Sequence, residues 1–385
     1  MKKILLHIII IFFIAIFFTS KVNAESLTTQ MIQEEKGNFG INDFINETKK
    51  YTDDFFEDMN ISDTLNSAII GKVDNNKILK KILKIFGKEI VSSLKTIIAV
   101  LTIVLIHSII KAVADNLETS NISKTIYYAQ YILIVTIVMS NFSDLILSIT
   151  NTIHNLVGFM NSLVPLLITL MIYTGNIATS SLLEPIILFI IEFIANIVVT
   201  LILPAVSIIT ALIIVTKLSD KVQIGKLAKF LKSSIVWFLG IMLTVFVGVV
   251  SLEGTLASSV DGITAKTAKA TVSSMIPVVG KILGDSVDSV LGCGLVLKNA
   301  LGVVGVIIII GICALPLIKL SILTIMYSLS SAIIEPLADE KIVKLLEDFS
   351  DIFKLLLGIM CAVSVLLIIG TTLVIKISNS GMMYR

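Results

Sequence analysis

Residues 186–216 form a run of 31 positions with a single charge, Glu192. A helix that is apolar on every side over such a length belongs in lipid rather than in the core of a soluble domain. Comparable runs recur at 96–114, 127–150, 153–173, 235–251, 300–330 and 355–375. The chain of 385 residues is 56% hydrophobic and 15% charged, whereas an ordinary soluble domain is about 25% charged. These features specify an all-α polytopic membrane protein with about seven or eight transmembrane segments. As one helix, the run at 186–216 would be about 46 Å long against a hydrocarbon core of about 30 Å. Pro204 in its middle therefore predicts two limbs of a broken helix, and Pro316 predicts the same for 300–330.

The first 24 residues read as a cleavable signal peptide. Lys2 and Lys3 supply the charged start, residues 4–18 the apolar stretch, and Val22-Asn23-Ala24 a small-x-small cleavage site. The chain from Glu25 onward then begins outside the cytoplasm. Residues 25–95 make an extracytoplasmic region, acidic at first, with Phe39, Phe44, Phe55 and Phe56 interspersed. It ends in a basic amphipathic helix at 77–95, expected to lie on anionic membrane lipids. A first transmembrane region covers 96–251, with Tyr127, Tyr128 and Tyr131 as an aromatic belt and a basic loop at 217–232. An amphipathic segment covers 252–299, and a second transmembrane region covers 300–385.

The two proline-containing runs suggest an internal repeat. Leu203-Pro204 and Leu315-Pro316 are each followed by apolar residues, a charged amphipathic stretch, and a span opening Leu239-Gly240-Ile241-Met242 or Leu357-Gly358-Ile359-Met360. Lys217, Lys221, Lys226, Lys229 and Lys232 mark their loop as cytoplasmic. The counterpart at 335–354 is predominantly acidic, which suits the opposite side and an inverted repeat. On this reading three spans bring the chain to the cytoplasm near Asn176, and a hairpin at Pro204 returns it there.

Residues 276–302 are too polar for an ordinary span and too apolar for a loop. As a helix, Lys281, Asp285, Asp288 and Gly292 share one face, and Gly280 and Gly284 form a small-xxx-small pair. Such a charged stripe suits three placements: flat in the interface, lining a cavity as a re-entrant or spanning helix, or docking partners outside. If the segment crosses, the acidic stretch at 335–354 comes inside and the C-terminus goes outside.

Little in the chain carries chemistry. His107 and His154 stand alone, and there is no metalloprotease, nucleophile-elbow or phosphate-loop motif. Cys293, Cys313 and Cys361 read as small buried hydrophobes. No catalytic, cofactor-binding or metal-binding residue is expected, the chain is not expected to be an enzyme, and a net charge of +2 implies no nucleic-acid partner. Two intramembrane charges stand out. Glu192 needs either a structural partner or an ion or substrate role, and Lys319, just after Pro316, suits snorkelling or a helix-end contact.

The stretch IPVVGKILGDSVD…LVLKNALGVVGV, with the signal sequence and proline-bearing runs around it, resembles the stage III sporulation protein AE family of endospore-forming bacteria. Its most specific part is Lys298-Asn299-Ala300-Leu301-Gly302, which adds Lys298 and Asn299 to the candidate functional residues. The resemblance implies a multi-pass component of the mother-cell membrane around the forespore. It also implies partners: other proteins of the same operon, including a cytoplasmic ATPase and ring-forming membrane proteins, and a forespore channel partner, with membrane lipids around them. Read from the residues alone, a stand-alone secondary transporter with a broken-helix substrate site remains the alternative.

Overall fold

The computed structural model describes residues 39–52, 56, 60–115, 120–218, 224–275 and 279–380, with the backbone alone at 107, 111–115, 120–124, 126, 253–275, 279–291 and 377–380. The signal sequence lies outside the described residues. Nine α-helices account for most of what is described. They are α1 (Ile41–Thr48), α2 (Ile61–Ile69), α3 (Asn75–Asp115), α4 (Ser120–Tyr173), α5 (Ile177–Ile197), α6 (Leu203–Leu218), α7 (Gly225–Met275), α8 (Val279–Ile334) and α9 (Glu340–Ser380). Among the described residues there is no strand. Six helical stretches among the described residues are long and apolar enough to cross a membrane, with α5 and α6 counted as one.

The helices run up and down. Asn141 of α4 lies beside Tyr327 of α8, while α4 Leu163 lies against Gly305 and Tyr173 against Gly294, so α4 and α8 are antiparallel. Ser350 of α9 donates a hydrogen bond to the Thr324 carbonyl of α8 at 2.8 Å, and Ile375 packs on Gly302, so α8 and α9 are antiparallel too. Lys232 of α7 reaches Asp351 of α9 and Phe246 meets Gly370, which makes α7 and α9 parallel. The hairpin α8–α9 is the centre. Helices α2, α3, α4 and α7 touch α8, and α4, α5, α6 and α7 touch α9.

Several expectations are corrected. The runs at 127–150 and 153–173 are one helix, α4, because Thr150-Asn151-Thr152 contains neither Gly nor Pro. Thr150 and Thr152 turn their hydroxyls back onto the Ile146 and Ser148 carbonyls, so these polar side chains need no break in the helix. Pro204 does not reverse the chain. A π-turn at Val198–Ile202 joins α5 to α6, and the Leu203 amide bonds the Val198 carbonyl, which absorbs the ladder defect a proline creates. Pro316 lies inside α8 without a break. The basic stretch at 77–95 is continuous with 96–114 in α3, so it does not lie flat while its continuation crosses.

These differences also settle the two charged segments relative to each other. They lie at the same end of the bundle, joined by Lys217–Asp348 and Lys232–Asp351 ion pairs. An inverted repeat would place them at opposite ends. The hairpins α5/α6–α7 and α8–α9 instead run in the same sense, the geometry of a direct repeat. At the other end α1 packs on α4 through a Phe44–Phe159 ring contact, and Phe39 just before α1 meets Tyr173.

Candidate functional site

The charged end contains an open cleft of about 840 Å³ between α6, α7 and α9. Its floor is apolar, with Ile209, Ile213, Ala228, Ile352 and Leu355. Its rim is charged because each contributing helix begins or ends there. Lys217 closes α6, Lys226, Lys229 and Lys232 occupy the first turns of α7, and Lys344, Glu347, Asp348 and Asp351 the first turns of α9. Spacings of three and four residues keep each helix's charges on the side facing the cleft.

Two ion pairs cross the cleft's edge. Lys217 Nζ lies 3.0 Å from Asp348 Oδ2, and Lys232 Nζ lies 3.0 Å from Asp351 Oδ2. The other oxygen of Asp351 takes Lys354 at 3.1 Å, and Glu340 pairs with Lys344 along α9. The aromatic belt seen in the sequence meets this end. The Tyr127 hydroxyl donates to the Lys217 carbonyl at 3.1 Å, the Tyr131 hydroxyl donates to the Ile214 carbonyl, and Lys341 Nζ lies 5.9 Å from the centre of the Tyr127 ring. Five lysines (217, 226, 229, 232, 344) and three carboxylates (347, 348, 351) line the cleft, which leaves positive charge in excess. Lys226 and Lys229 are exposed, with no partner among the described residues. The arrangement can hold an acidic group, and it contains no nucleophile–base pair. No cluster of potential metal ligands occurs among the described residues.

The residues selected from sequence scatter over the bundle. Lys298 is completely buried in α8, one turn on from Gly294, where a Cβ would meet the Tyr173 ring at 2.8 Å. Asn299 beside it is half-buried, and both are engaged with neighbours. They lie at the end of the bundle opposite the cleft. Lys319 is half-buried in α8. Glu192 is exposed on the outside of α5, without an ion-pair partner among the described residues. Lys281, Asp285 and Asp288 fall in the first turns of α8, and their side chains lie outside the described residues. Cys293, Cys313 and Cys361 are buried and in no disulfide. Sequence reasoning missed the pairing of Lys217 and Lys232 with Asp348 and Asp351. Their opposite charges at matching places in the two repeat-like segments were the available signal.

Known proteins now bear on this architecture. The family model described as Stage III sporulation protein AE matches residues 59–378. The chain belongs to that family. It is 28% identical over 307 residues to Stage III sporulation protein AE of Bacillus subtilis (strain 168), an alignment covering 80% of this chain and 77% of that protein. No solved structure matches. The matched region takes in every helix from α2 to nearly the end of α9, including the cleft and Lys298. Membership in this family supports a role in sporulation, and the six apolar helices fit a multi-pass membrane protein.

Proposed function

We propose that this chain is a non-enzymatic integral membrane subunit of a transenvelope, secretion-like channel complex linking mother cell and forespore and sustaining late forespore development. The observation that carries the reading is the polarity of the bundle. Its lysine-rich cleft and its N-terminal helix α1 lie at opposite ends, with Tyr127 and Phe159 of α4 marking the two levels about 48 Å apart. With the N-terminal region translocated, α1 faces the space between the mother-cell and forespore membranes. The cleft then faces the mother-cell cytoplasm, where its lysines satisfy the positive-inside rule.

Each end thus has a role in the complex. The cleft, with Lys226 and Lys229 exposed at its rim, suits an acidic segment of a cytoplasmic partner such as the operon's ATPase. The α1 end suits the ring-forming proteins and the forespore partner. The transporter alternative draws on an inverted repeat, on helices broken at Pro204 and Pro316, and on Glu192. The described hairpins run in the same sense, Pro316 lies inside α8 without a break and Glu192 faces outward, which favours the first reading. Deletion is expected to arrest sporulation after engulfment while vegetative growth stays normal. A Lys226→Glu/Lys229→Glu variant is expected to accumulate in the membrane at the normal level yet leave sporulation blocked. Normal spore yield from the deletion strain would end this reading.

A further inference from the structure

The outward face of α4 differs from those of α3 and α7. On α3 and α7 most exposed side chains of the apolar stretches are large and apolar, including Ile98, Ile106, Trp237 and Val245, and the exposed Thr102 and Thr244 return their hydroxyls to their own helices. On α4, the exposed side chains between 134 and 169 are polar with the single exception of Leu147. They include Ser140, Asp144, Asn151, His154 and Asn161, recurring at steps of three, four and seven residues and so forming one stripe. None of these five has a hydrogen-bond or ion-pair partner among the described residues.

This stripe lies at hydrocarbon depth. Lys354 and Lys376 bracket 21 uncharged residues of α9, about 31 Å of helix, which matches a bilayer core. Asn141 of α4 stands beside Tyr327, whose ring packs on Phe353 at one edge of that band. Met160 stands beside Thr371 near the other edge. Asn151 is therefore close to mid-membrane and His154 only one turn away. Unpaired polar groups facing lipid there are costly, so something polar covers them. The apolar stretch at 4–18 offers no hydrogen-bonding side chain but His7 and cannot be the cover.

The chain itself presents a complementary surface. On α5, Glu192, Asn196 and Thr200 are exposed, flanked by the stacked rings of Phe189 and Phe193, 5.9 Å apart. Helices α4 and α5 are antiparallel, joined by the turn after Tyr173 and held at the far end by Tyr131 and Ile214. That register puts Glu192 level with His154, and Asn196 level with Asn151, to within about one turn.

We infer that copies of this chain associate in the membrane head to tail, the α4 stripe of one copy against the α5 patch of the next, with His154 meeting Glu192 and Asn151 meeting Asn196. Copies inserted the same way up can join only residues of equal depth, and these pairs satisfy that. A two-fold pairing of α4 with α4 would instead set Asp144 against Asp144 and His154 against His154. Head-to-tail contacts leave a stripe and a patch open at the two ends, so they propagate and close only as a ring.

Cross-linking in membranes tests this, and the native cysteines can stay because they are buried. Two differently tagged copies are co-expressed, one Asn151→Cys and the other Asn196→Cys, and oxidised. The expected product is a disulfide-linked dimer carrying both tags, absent when Ile241→Cys, exposed on α7 at the level of Asn151, replaces Asn151→Cys. His154→Glu, which sets two acids together, is expected to lower the yield about tenfold, a change of about 1.4 kcal/mol. Glu192→His in the partner copy should restore it. Predominant linkage of Asn151→Cys to itself, or single copies counted by photobleaching with no linkage, would overturn the proposal.

Discussion

The central hairpin and the outer helices of this bundle obey different rules. In α8 and α9, 72% and 78% of the apolar window is buried within the chain, against 24% and 22% in α3 and α7. The α5–α6 stretch is as apolar as the hairpin, with a mean hydropathy of 2.8 against 2.9 and 2.7, yet only 33% buried, so what separates them is which neighbours they have. Apolarity alone places a helix in the membrane, while small residues and matched shapes place it in the centre. The close approaches between helices at Gly302 and Gly305 lie in α8, whereas a Cβ added at Gly240 or Gly248 of α7 would have nothing within 4 Å.

The sharpest test removes a large side chain from each class. Tyr327 is fully buried, packs on the Phe353 ring at 5.2 Å and receives a hydrogen bond from Asn141 at 3.4 Å. Tyr327→Ala is expected to cost about 3 to 5 kcal/mol, as large-to-small core changes do. Trp237 is 71% exposed, and Trp237→Ala should stay within about 0.5 kcal/mol. Detergent melting of both purified variants checks this, and equal losses would abolish the distinction between centre and periphery.

Adding volume gives a somewhat smaller contrast. A Cβ at Gly305 would lie 2.6 Å from Leu163 Cδ2, so Gly305→Leu must push α4 away from α8, a cost of about 3 kcal/mol. Gly240→Leu meets open space, and the same change there should be neutral or slightly stabilising because leucine favours helix over glycine. Membrane abundance at matched expression reports the difference. Equal abundance would mean that α4 and α8 are not packed as closely as Gly305 and Leu163 indicate.

How much of this is readable in sequence depends on the range of the interaction. The spans at 235–251 and 355–375 are legible because hydropathy is local, and so is the burial of the three cysteines. The continuity of α4 is not. Its polar residues at 150–155 imitate a loop, but Thr150 and Thr152 bond back to their own helix and Asn151 and His154 face outward. Pro204 is legible as a ladder defect, but whether a π-turn or a reversal absorbs the defect depends on neighbouring helices. For the candidate site, the lysines of 217–232 stand out as a group. Their partners at 348 and 351 are more than a hundred residues away, and helical periodicity carries no information about such pairs. Lys298 stands out only within a recognisable motif, and its complete burial is a property of the packed bundle.

The smallest expected effect belongs to the edge of the cleft, where outer and central helices are joined by charge instead of packing. Lys217 and Asp348 retain 20% and 37% side-chain exposure, so their pair is screened by water and worth about 1 kcal/mol or less. Lys217→Glu sets like charges together against Asp348 and should lower stability by about 1 kcal/mol. Asp348→Lys in the same chain restores an opposite-charge pair and should recover most of that loss. The recovery matters more than the size of the loss, because two residues can compensate each other only if they meet. A double variant no more stable than the sum of the single losses would separate the two charged segments and return the acidic one to the opposite end of the bundle. Full recovery would fix α6 and α9 side by side at the cleft, with the central hairpin held to its surroundings by packing in the membrane and by ion pairs at its charged end.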